Sequence, residues 1–248
     1  MLNNVTTSKL RDMKMTVMAE AFEKQAMDGN FATMTFEERL GLLVDAEWLS
    51  RKNNRLNRLI RNAGFSNHEA CLEDIEYHAD RELDRDFITR LGTCNYIKEC
   101  RNIILLGASG GGKSWLANAF GMTACRNYFT VKYVRLPDLL GELAMAHVTG
   151  TYAKVMKQYK QVQLLILDEW LLYPLKESES RDLLEITERR HKQSSTIFCS
   201  QFDVGGWHKK LGEDALSDAV LDRIVHDSYK IVIKGDSMRK RKGIPDEV

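Results

Sequence analysis

The spacing of apolar residues changes near residue 100. Before that point apolar residues recur every three or four positions, which is typical of amphipathic helices. After it they form short unbroken runs, separated by helical segments: NIILL, TVKYV, VQLLILD, STIFCS and YKIVI. This alternation predicts parallel strands joined by crossover helices that cover both faces of the sheet. We therefore expect an α/β fold with a mostly parallel sheet flanked by helices, preceded by a small all-helical domain.

Two helices are predicted in the first region. One covers residues 6–27 and begins with threonine N-cap residues. The other begins after Thr35, which forms an S/T-x-x-E capping box with Glu38, and Gly64 is its expected stop. The apolar stripe of this second helix comprises Leu40, Leu43, Val44, Trp48, Leu56, Leu59 and Ile60.

Charge is distributed unevenly, although the net charge is only +1. Residues 51–61 contain five basic residues and no acid, whereas residues 69–86 contain eight acids and two arginines. The basic stretch is either a solvated helix face, a contact for a nucleic-acid backbone, or a surface for a protein partner. The candidate DNA contacts are Arg51, Lys52, Arg55 and Arg58.

The eight residues GASGGGKS fit the phosphate-loop pattern G-x-x-x-x-G-K-[ST]. An apolar run leads into them and a helical segment follows, and backbone N–H groups in this context favour phosphate. Lys113 is expected to bind the β- and γ-phosphates, and Ser114 to bind Mg²⁺. The expected nucleotide-binding residues are Gly107, Ala108, Ser109, Gly110, Gly111, Gly112, Lys113, Ser114 and Trp115.

A second strand ends in two carboxylates. In VQLLILDEW, four apolar residues precede Asp168, which is expected at the carboxyl edge of the sheet, where α/β folds bind ligands. Asp168 is therefore a candidate Mg²⁺ ligand. Glu169 is a candidate general base for an attacking water, a role that favours hydrolysis over transfer of the phosphoryl group to a small molecule.

Two further segments carry candidate catalytic groups. STIFCS is followed by Gln201, so Ser200 and Gln201 are expected to face the γ-phosphate, although a simple polar strand end is the alternative. Arg223 lies on a predicted helix beside Asp222. It is either half of a surface ion pair or an arginine finger that reaches a neighbouring subunit's nucleotide.

Cysteine, histidine and hydropathy patterns narrow the class of protein. The five cysteines include no C-x-x-C pair, which favours reduced thiols over a disulfide framework. The histidines include no H-x-x-x-H pair, so a zinc site is not expected. The first residues lack the apolar core of a signal peptide, and no apolar run approaches the ~20 residues that cross a bilayer. We expect a cytoplasmic protein without a membrane partner.

The order of these motifs resembles a known family. GASGGGKS, LLILDEW, STIFCSQF, LDRIVHDSY and KGDSMRKRKG are similar to segments of the IstB-like proteins, ATP-binding helper subunits of insertion-sequence transposition. These are relatives of the DnaC-type helicase loaders among the AAA+ ATPases. The resemblance extends from about Thr7 to Lys242. It departs from the family pattern at Ala108, where proline is common, and at Leu171, where glycine often follows the acidic pair.

The resemblance implies ATP and Mg²⁺ as cofactors and assigns roles to the motifs. Residues 107–114 would be the Walker A loop, and Asp168 with Glu169 the Walker B pair. Ser200 or Gln201 would be the first sensor, and Arg223 the arginine finger. The family is also expected to lack a C-terminal lid domain.

The resemblance further implies a helical insertion before the Walker B strand, which faces a DNA-filled channel in related assemblies. Here Lys154, Lys157 and Lys160 recur at every third residue of this insertion, with Tyr152 and Tyr159 between them. Such a row fits a sequence-independent contact with a nucleic-acid backbone. A solvated helix face is the alternative.

These expectations combine into one leading hypothesis. Residues 1–68 would form a helical domain for DNA or partner binding, 69–100 a helical connection, and 101–248 the ATPase domain. With ATP, the protein would oligomerise on double-stranded DNA, recruit or activate its transposase at the target site, and hydrolyse ATP to reset. The alternatives are a replicative helicase loader, a small-molecule kinase, and a DNA-bending scaffold with an inert loop.

Overall fold

The structure, a computed structural model, describes residues 2–212 and 215–242. The chain falls into two compact units, Met1–Arg58 and Leu59–Val248. The described part of the first unit contains helices only, and the second contains the sheet. In the described ranges, no helix is sufficiently long and apolar to span a bilayer.

The first unit begins with two helices where the sequence predicts one. Helix α1 (Leu2–Asp12) ends before α2 (Thr16–Met27) begins, so the expectation of one helix over residues 6–27 is wrong. Lys14 adopts a left-handed conformation with φ 59°, and the backbone N–H of Met15 bonds to the Leu10 carbonyl at 2.8 Å. This closure resembles a helix C-terminus built on a left-handed residue, a role that lysine fills here instead of glycine.

Helix α3 (Phe36–Ala63) follows a short 3-10 helix (Gly29–Thr33). Its predicted capping box is confirmed, because Thr35 N bonds to Glu38 Oε2 at 2.8 Å and Glu38 N bonds to Thr35 Oγ1 at 3.3 Å. The predicted stop is also confirmed, since Gly64 follows the helix with φ +69°. The position of the helix was therefore readable from its two ends.

The buried face of α3 matches the predicted stripe only in part: Leu43 is buried, and Leu56, Leu59 and Ile60 are half-buried. Leu43 and Glu47 are buried, and the Met18 N–H donates to Glu47 Oε2 at 3.1 Å, so α2 packs on this face. Leu40, Val44 and Trp48, to the side of that face, are 40–51% exposed. The apolar pattern did not predict that Glu47 is buried on this face, where its carboxylate accepts a backbone N–H.

The second unit is built on five parallel strands, whose predicted existence and direction are confirmed. They are β1 Asn102–Gly107, β2 Val131–Arg135, β3 Leu164–Asp168, β4 Ser195–Ser200 and β5 Ser228–Ile233. Their order is β2-β3-β4-β1-β5, so β1, β3 and β4 end side by side. In register, Ile103 of β1 lies opposite Ile197 of β4 and Tyr229 of β5. The strands β3 and β4 are buried along their whole length, as expected for a sheet covered on both faces.

Helices precede, connect and follow the strands. They are α4 Arg85–Gly92, α5 Asn95–Lys98, α6 Lys113–Arg126, α7 Leu136–Thr149, α8 Tyr152–Gln161, α9 Glu177–Arg190, α10 Val204–Leu211, α11 Ala215–Val225 and α12 Met238–Lys242. Two short 3-10 helices, Leu72–Asp74 and Ala79–Arg81, precede α4. Helix α6 leaves the phosphate loop, and α7 with α8 forms the insertion between β2 and β3.

Candidate functional site

A cavity of about 460 Å³ opens at the carboxyl ends of β1, β3 and β4. This is the edge where the order of connections in a parallel sheet leaves room for a ligand. Nine of the residues predicted from sequence line it: Ser109, Gly110, Gly112, Lys113, Ser114, Trp115, Asp168, Glu169 and Gln201. The fold therefore brings the phosphate loop, the acidic pair and one sensor candidate to one place.

The phosphate loop depends on glycine at two positions. Gly110 and Gly112 have φ of +78° and +95°, where a side chain would be strained. A Cβ at Gly110 would also lie 2.2 Å from Ser237 Oγ, and one at Gly112 would lie 3.0 Å from a guanidinium nitrogen of Arg81. The loop is thus packed closely against the segment that follows β5.

Lys113 lies back over this loop. Its Nζ donates to the carbonyls of Gly107 at 2.7 Å and Ala108 at 2.8 Å, and the residue is 8% exposed. Burial lowers the pKa of Lys113, because removal from water disfavours the charged ammonium. The loop carbonyls keep a cation at the position where phosphate oxygens would bind.

Asp168 and Glu169 are held by side chains of the neighbouring strand β2. The Tyr133 hydroxyl donates to Asp168 Oδ2 at 2.7 Å, and the Glu169 N–H donates to Asp168 Oδ1 at 2.9 Å. Glu169 has φ of 54°, and its Oε2 accepts from Arg135 Nη2 at 2.8 Å. Asp168 is buried, whereas the Arg135–Glu169 pair is partly exposed. The metal-ligand candidate is therefore fixed more firmly than the candidate base.

The oxygen donors in the cavity fit Mg²⁺ better than a softer metal. Ser114 offers a hydroxyl and Asp168 a carboxylate, and both line the cavity. In residues 2–212 and 215–242, no group of three His, Cys, Asp or Glu side chains could hold a metal ion. Mg²⁺ takes only one or two carboxylates from a protein and completes its shell with water and phosphate oxygens.

The two sensor candidates separate in the structure. Ser200 is 1% exposed, and its hydroxyl donates to the Trp170 carbonyl at 2.9 Å and accepts from Trp207 Nε1 at 2.9 Å. Gln201, the next residue, is exposed and lines the cavity. The hydroxyl of Ser200 is engaged in holding two tryptophans, so Gln201 is the side chain placed to meet a nucleotide.

Arg223 is held away from the cavity of its own chain. Its Nη1 donates to the Ala219 carbonyl at 2.7 Å, and its Nη2 lies 3.1 Å from Glu188 Oε1. The surface ion pair expected as one alternative is present, but its acid is Glu188 on α9, whereas the adjacent Asp222 pairs with His226 at 3.4 Å. The Glu188 pair is partly exposed, and such pairs contribute ~1 kcal/mol or less, so it opposes a move of Arg223 only weakly.

The row of lysines on α8 is not uniform. Lys154 and Lys157 are exposed. Lys160 is partly buried, and its Nζ lies 2.5 Å from Glu185 Oε1. The hydroxyls of Tyr152 and Tyr159 donate to carboxylates of the protein, which directs both rings into the fold. Two of the three predicted lysines therefore present a cation to solvent, and neither tyrosine offers a surface for stacking on bases.

The basic residues of α3 are exposed. Arg51 donates to Glu47 Oε1 at 2.7 Å and to the Lys14 carbonyl at 2.9 Å, both within the first unit. The ammonium of Lys52 lies 3.9 Å from the centre of the Trp48 ring. Arg55 and Arg58 are also exposed. Arg51 is therefore partly structural, and the others form the exposed basic surface of this helix.

Several cavity residues were missed by sequence reasoning. Arg81, 5% exposed, donates to the carbonyls of Gly111 at 3.1 Å and Glu76 at 2.7 Å, and burial lowers the pKa of its guanidinium. Arg239, beyond β5, also lines the cavity. The signal for Arg81 was a basic residue inside an acidic stretch. Tyr133 and Arg135, which contact Asp168 and Glu169, were also missed. Their signal was a period-two spacing, which places both on one face of β2.

The sequence is similar to a family of known proteins over nearly its whole length. The family model described as IstB-like ATP binding protein matches residues 8–244. A protein of Sinorhizobium fredii named insertion sequence ATP-binding protein y4pL is 41% identical over 98% of this chain and 98% of its own. The insertion sequence IS1162 ATP-binding protein of Pseudomonas fluorescens is 38% identical over 81% of this chain and 87% of its own.

Solved structures of replication proteins share the fold. The DnaC helicase loader superposes with a TM-score of 0.57 at 19% identity, covering 68% of this chain and 98% of that one. DnaA from Aquifex aeolicus, bound to the ATP analogue AMPPCP, superposes with a TM-score of 0.58 at 22% identity, covering 71% of this chain and 54% of that one. The predicted α/β fold, a mostly parallel sheet flanked by helices, is thereby confirmed.

Proposed function

Because the chain belongs to the family of IstB-like ATP-binding proteins, we propose that it is an ATP-hydrolysing, DNA-binding helper of insertion-sequence transposition. The observation that carries the proposal is the convergence of the phosphate loop, Asp168, Glu169 and Gln201 on one cavity. The names of its relatives supply the insertion-sequence context. The same cavity supports ATP as the nucleotide and Mg²⁺ as its counterion.

Each of these cavity residues has a separate role in ATP hydrolysis. Lys113 and the loop N–H groups bind the β- and γ-phosphates, and Ser114 and Asp168 hold Mg²⁺. Mg²⁺ would neutralise charge on the phosphate oxygens. Glu169 accepts a proton from the water that attacks the γ-phosphorus, and the bond to the ADP oxygen breaks. Gln201 lies where it can orient that water or the γ-phosphate.

Assembly would complete the site. Arg223 does not belong to the residues that line the cavity of its own chain, so its proposed contribution is to the cavity of a neighbouring subunit. A cation supplied in this way stabilises transition-state charge and makes hydrolysis depend on oligomerisation. We assign duplex DNA to the exposed cations Arg55, Arg58, Lys154 and Lys157, and transposase recognition to the N-terminal helices of residues 1–68.

The test is ATP hydrolysis measured against protein concentration, with and without duplex DNA. We expect DNA to stimulate hydrolysis, and the specific activity to rise with protein concentration. Arg223→Ala should bind ATP normally but lose most of the stimulated rate. Glu188→Ala, which removes the intrachain partner of Arg223, is the matched control and should retain it. Normal hydrolysis by assembled Arg223→Ala would refute the finger role.

A replicative helicase loader is the alternative function. The fold does not discriminate, because the DnaC loader has the same core architecture. The discriminating step is capture of a purified hexameric helicase or a purified transposase by the full chain in the presence of ATP. Binding of the helicase and not the transposase would favour the loader.

A further inference from the structure

A series of hydrogen bonds runs behind the two proposed magnesium ligands, Ser114 and Asp168. Tyr133 donates its hydroxyl proton to Asp168 Oδ2 at 2.7 Å, in the interior of the protein. Asn118 Nδ2 donates to the Ser114 carbonyl at 2.6 Å and to Ser66 Oγ at 3.0 Å. The Ser66 hydroxyl lies beside that of Tyr133. We call Ser66, Asn118 and Tyr133 the positioning network.

The donors in this network are ordered in one direction. The Ser114 carbonyl can only accept, so the amide nitrogen of Asn118 must face it and Ser66. Ser66 accepts from Asn118 and lies beside Tyr133. Tyr133 in turn donates to an ionised carboxylate, which can only accept. Asn118 is fully buried and Tyr133 is 8% exposed, and hydrogen bonds in series strengthen one another in such an environment.

Packing places Ser66 in the network. The preceding residue, Phe65, is 5% exposed and lies against α6 at Gly121, where a Cβ would stand 2.4 Å from the Phe65 ring. Glycine at position 121 therefore makes room for this ring. Ser66, the next residue, accepts from Asn118 on α6 and lies beside Tyr133 on β2. Two elements of the nucleotide site are joined through a residue outside both.

The network orients Asp168 without blocking it. The Tyr133 hydroxyl and the Glu169 N–H each occupy one carboxylate oxygen of Asp168. Each oxygen has two lone pairs, so both keep one for a metal ion or its water. Loss of the Tyr133 hydroxyl would leave a buried carboxylate oxygen unpaired and free to turn. Groups that hold metal ligands in this way contribute about 10- to 100-fold to metal affinity.

We propose that Tyr133 is a positioning residue for Mg²⁺–nucleotide binding, and that it acts by holding Asp168 in the orientation that the metal requires. The inference rests on the proposed function, since it concerns the same cavity. It adds a residue outside the phosphate loop and the acidic pair. It also predicts that Ser66, which lies in the segment after α3, affects metal binding through Tyr133.

The experiment measures binding and not hydrolysis. Fluorescent mant-ADP is held at a fixed concentration with the full-length protein, and MgCl₂ is titrated while the bound fraction is followed. Tyr133→Phe should raise the midpoint in MgCl₂ by about 10-fold, with nucleotide binding in EDTA unchanged. Ser66→Ala should shift the midpoint in the same direction by a smaller factor.

Tyr159→Phe is the matched control. Tyr159 is also buried and donates to a carboxylate, that of Glu142, but it does not belong to the residues that line the cavity. Its removal should lower the melting temperature without moving the MgCl₂ midpoint. If Tyr133→Phe does not fold, the midpoint of Ser66→Ala decides.

The outcomes separate the inference from the proposed function. A wild-type protein that binds mant-ADP with Mg²⁺, together with unchanged midpoints in Tyr133→Phe and Ser66→Ala, would overturn only the inference. A midpoint shift of equal size in Tyr159→Phe would also overturn it, since the effect would then reflect stability. A wild-type protein that binds no nucleotide would overturn the proposed function and the inference together.

Discussion

The nucleotide cavity and the basic helix faces hold their cations in opposite ways. In the cavity, Lys113 and Arg81 are 8% and 5% exposed, and each donates to backbone carbonyls at fixed distances. On α8, Lys154 and Lys157 are exposed to solvent. A buried cation with defined acceptors has one geometry, whereas exposed cations are mobile and screened by salt.

This difference between buried and exposed cations limits what each region can recognise. The cavity can bind one ligand chemistry at one distance, so a single substitution there should change binding or rate by orders of magnitude. The exposed faces can meet any anionic surface, so their substitutions should act additively and weakly. Four experiments test this contrast between the cavity and the exposed faces.

The largest effect is expected at the candidate base. Glu169→Gln keeps the shape of the side chain but cannot accept a proton, so steady-state ATP hydrolysis should fall by about 100-fold or more. Binding of mant-ATP should remain within a few-fold of wild type. Hydrolysis at the wild-type rate would assign the base to another residue.

The second effect concerns nucleotide binding. Lys113→Ala removes the buried ammonium that the loop carbonyls of Gly107 and Ala108 hold in place, and should weaken mant-ATP binding by about 100-fold, as expected for charged hydrogen bonds. Lys157→Ala, an exposed lysine of the same chain, is the control and should bind nucleotide normally. Equal effects of the two substitutions would remove the distinction between cavity and surface.

The third effect is a change in salt dependence. If α8 contacts a DNA backbone, replacing Lys154 and Lys157 together by alanine should lower the slope of log affinity against log salt by about 2, close to 0.9 for each contact. Lys160→Ala should change it little, because the ammonium of Lys160 lies 2.5 Å from Glu185. Fluorescence anisotropy of a labelled duplex measures the slope. An unaltered slope in the double variant would show that α8 is a solvated face.

The smallest effect is expected at Arg135. Its pair with Glu169 is partly exposed, and such pairs are weak because water screens them. Arg135→Ala should therefore raise DNA-independent hydrolysis by at most about five-fold, since it frees the carboxylate for water. The comparison with Arg135→Lys, which retains the charge, separates pairing from packing. A large loss of hydrolysis would instead make Arg135 part of the catalytic site.

Sequence patterns located the strands of the sheet and nine of the residues that line the cavity. The five strands and the phosphate loop lie where short apolar runs and glycines placed them. The two ends of α3 followed from Thr35, Glu38 and Gly64. The break at Lys14 was missed because nothing in its local sequence requires a left-handed residue there. The exposure of Leu40 and Val44 was not predicted, because α2 packs on a neighbouring face of α3.

The amino-acid sequence alone predicted a phosphate-binding loop at residues 107–114, because the N–H groups of one loop and the lysine beside it need no distant partner. Tertiary structure decided which of two adjacent residues faces the cavity, since Trp170 and Trp207 engage the hydroxyl of Ser200 and leave Gln201 exposed. It also brought Tyr133 to Asp168, 35 positions along the chain. Hydrogen bonds between strands depend on register and burial, and the spacing of residues within a motif predicts neither.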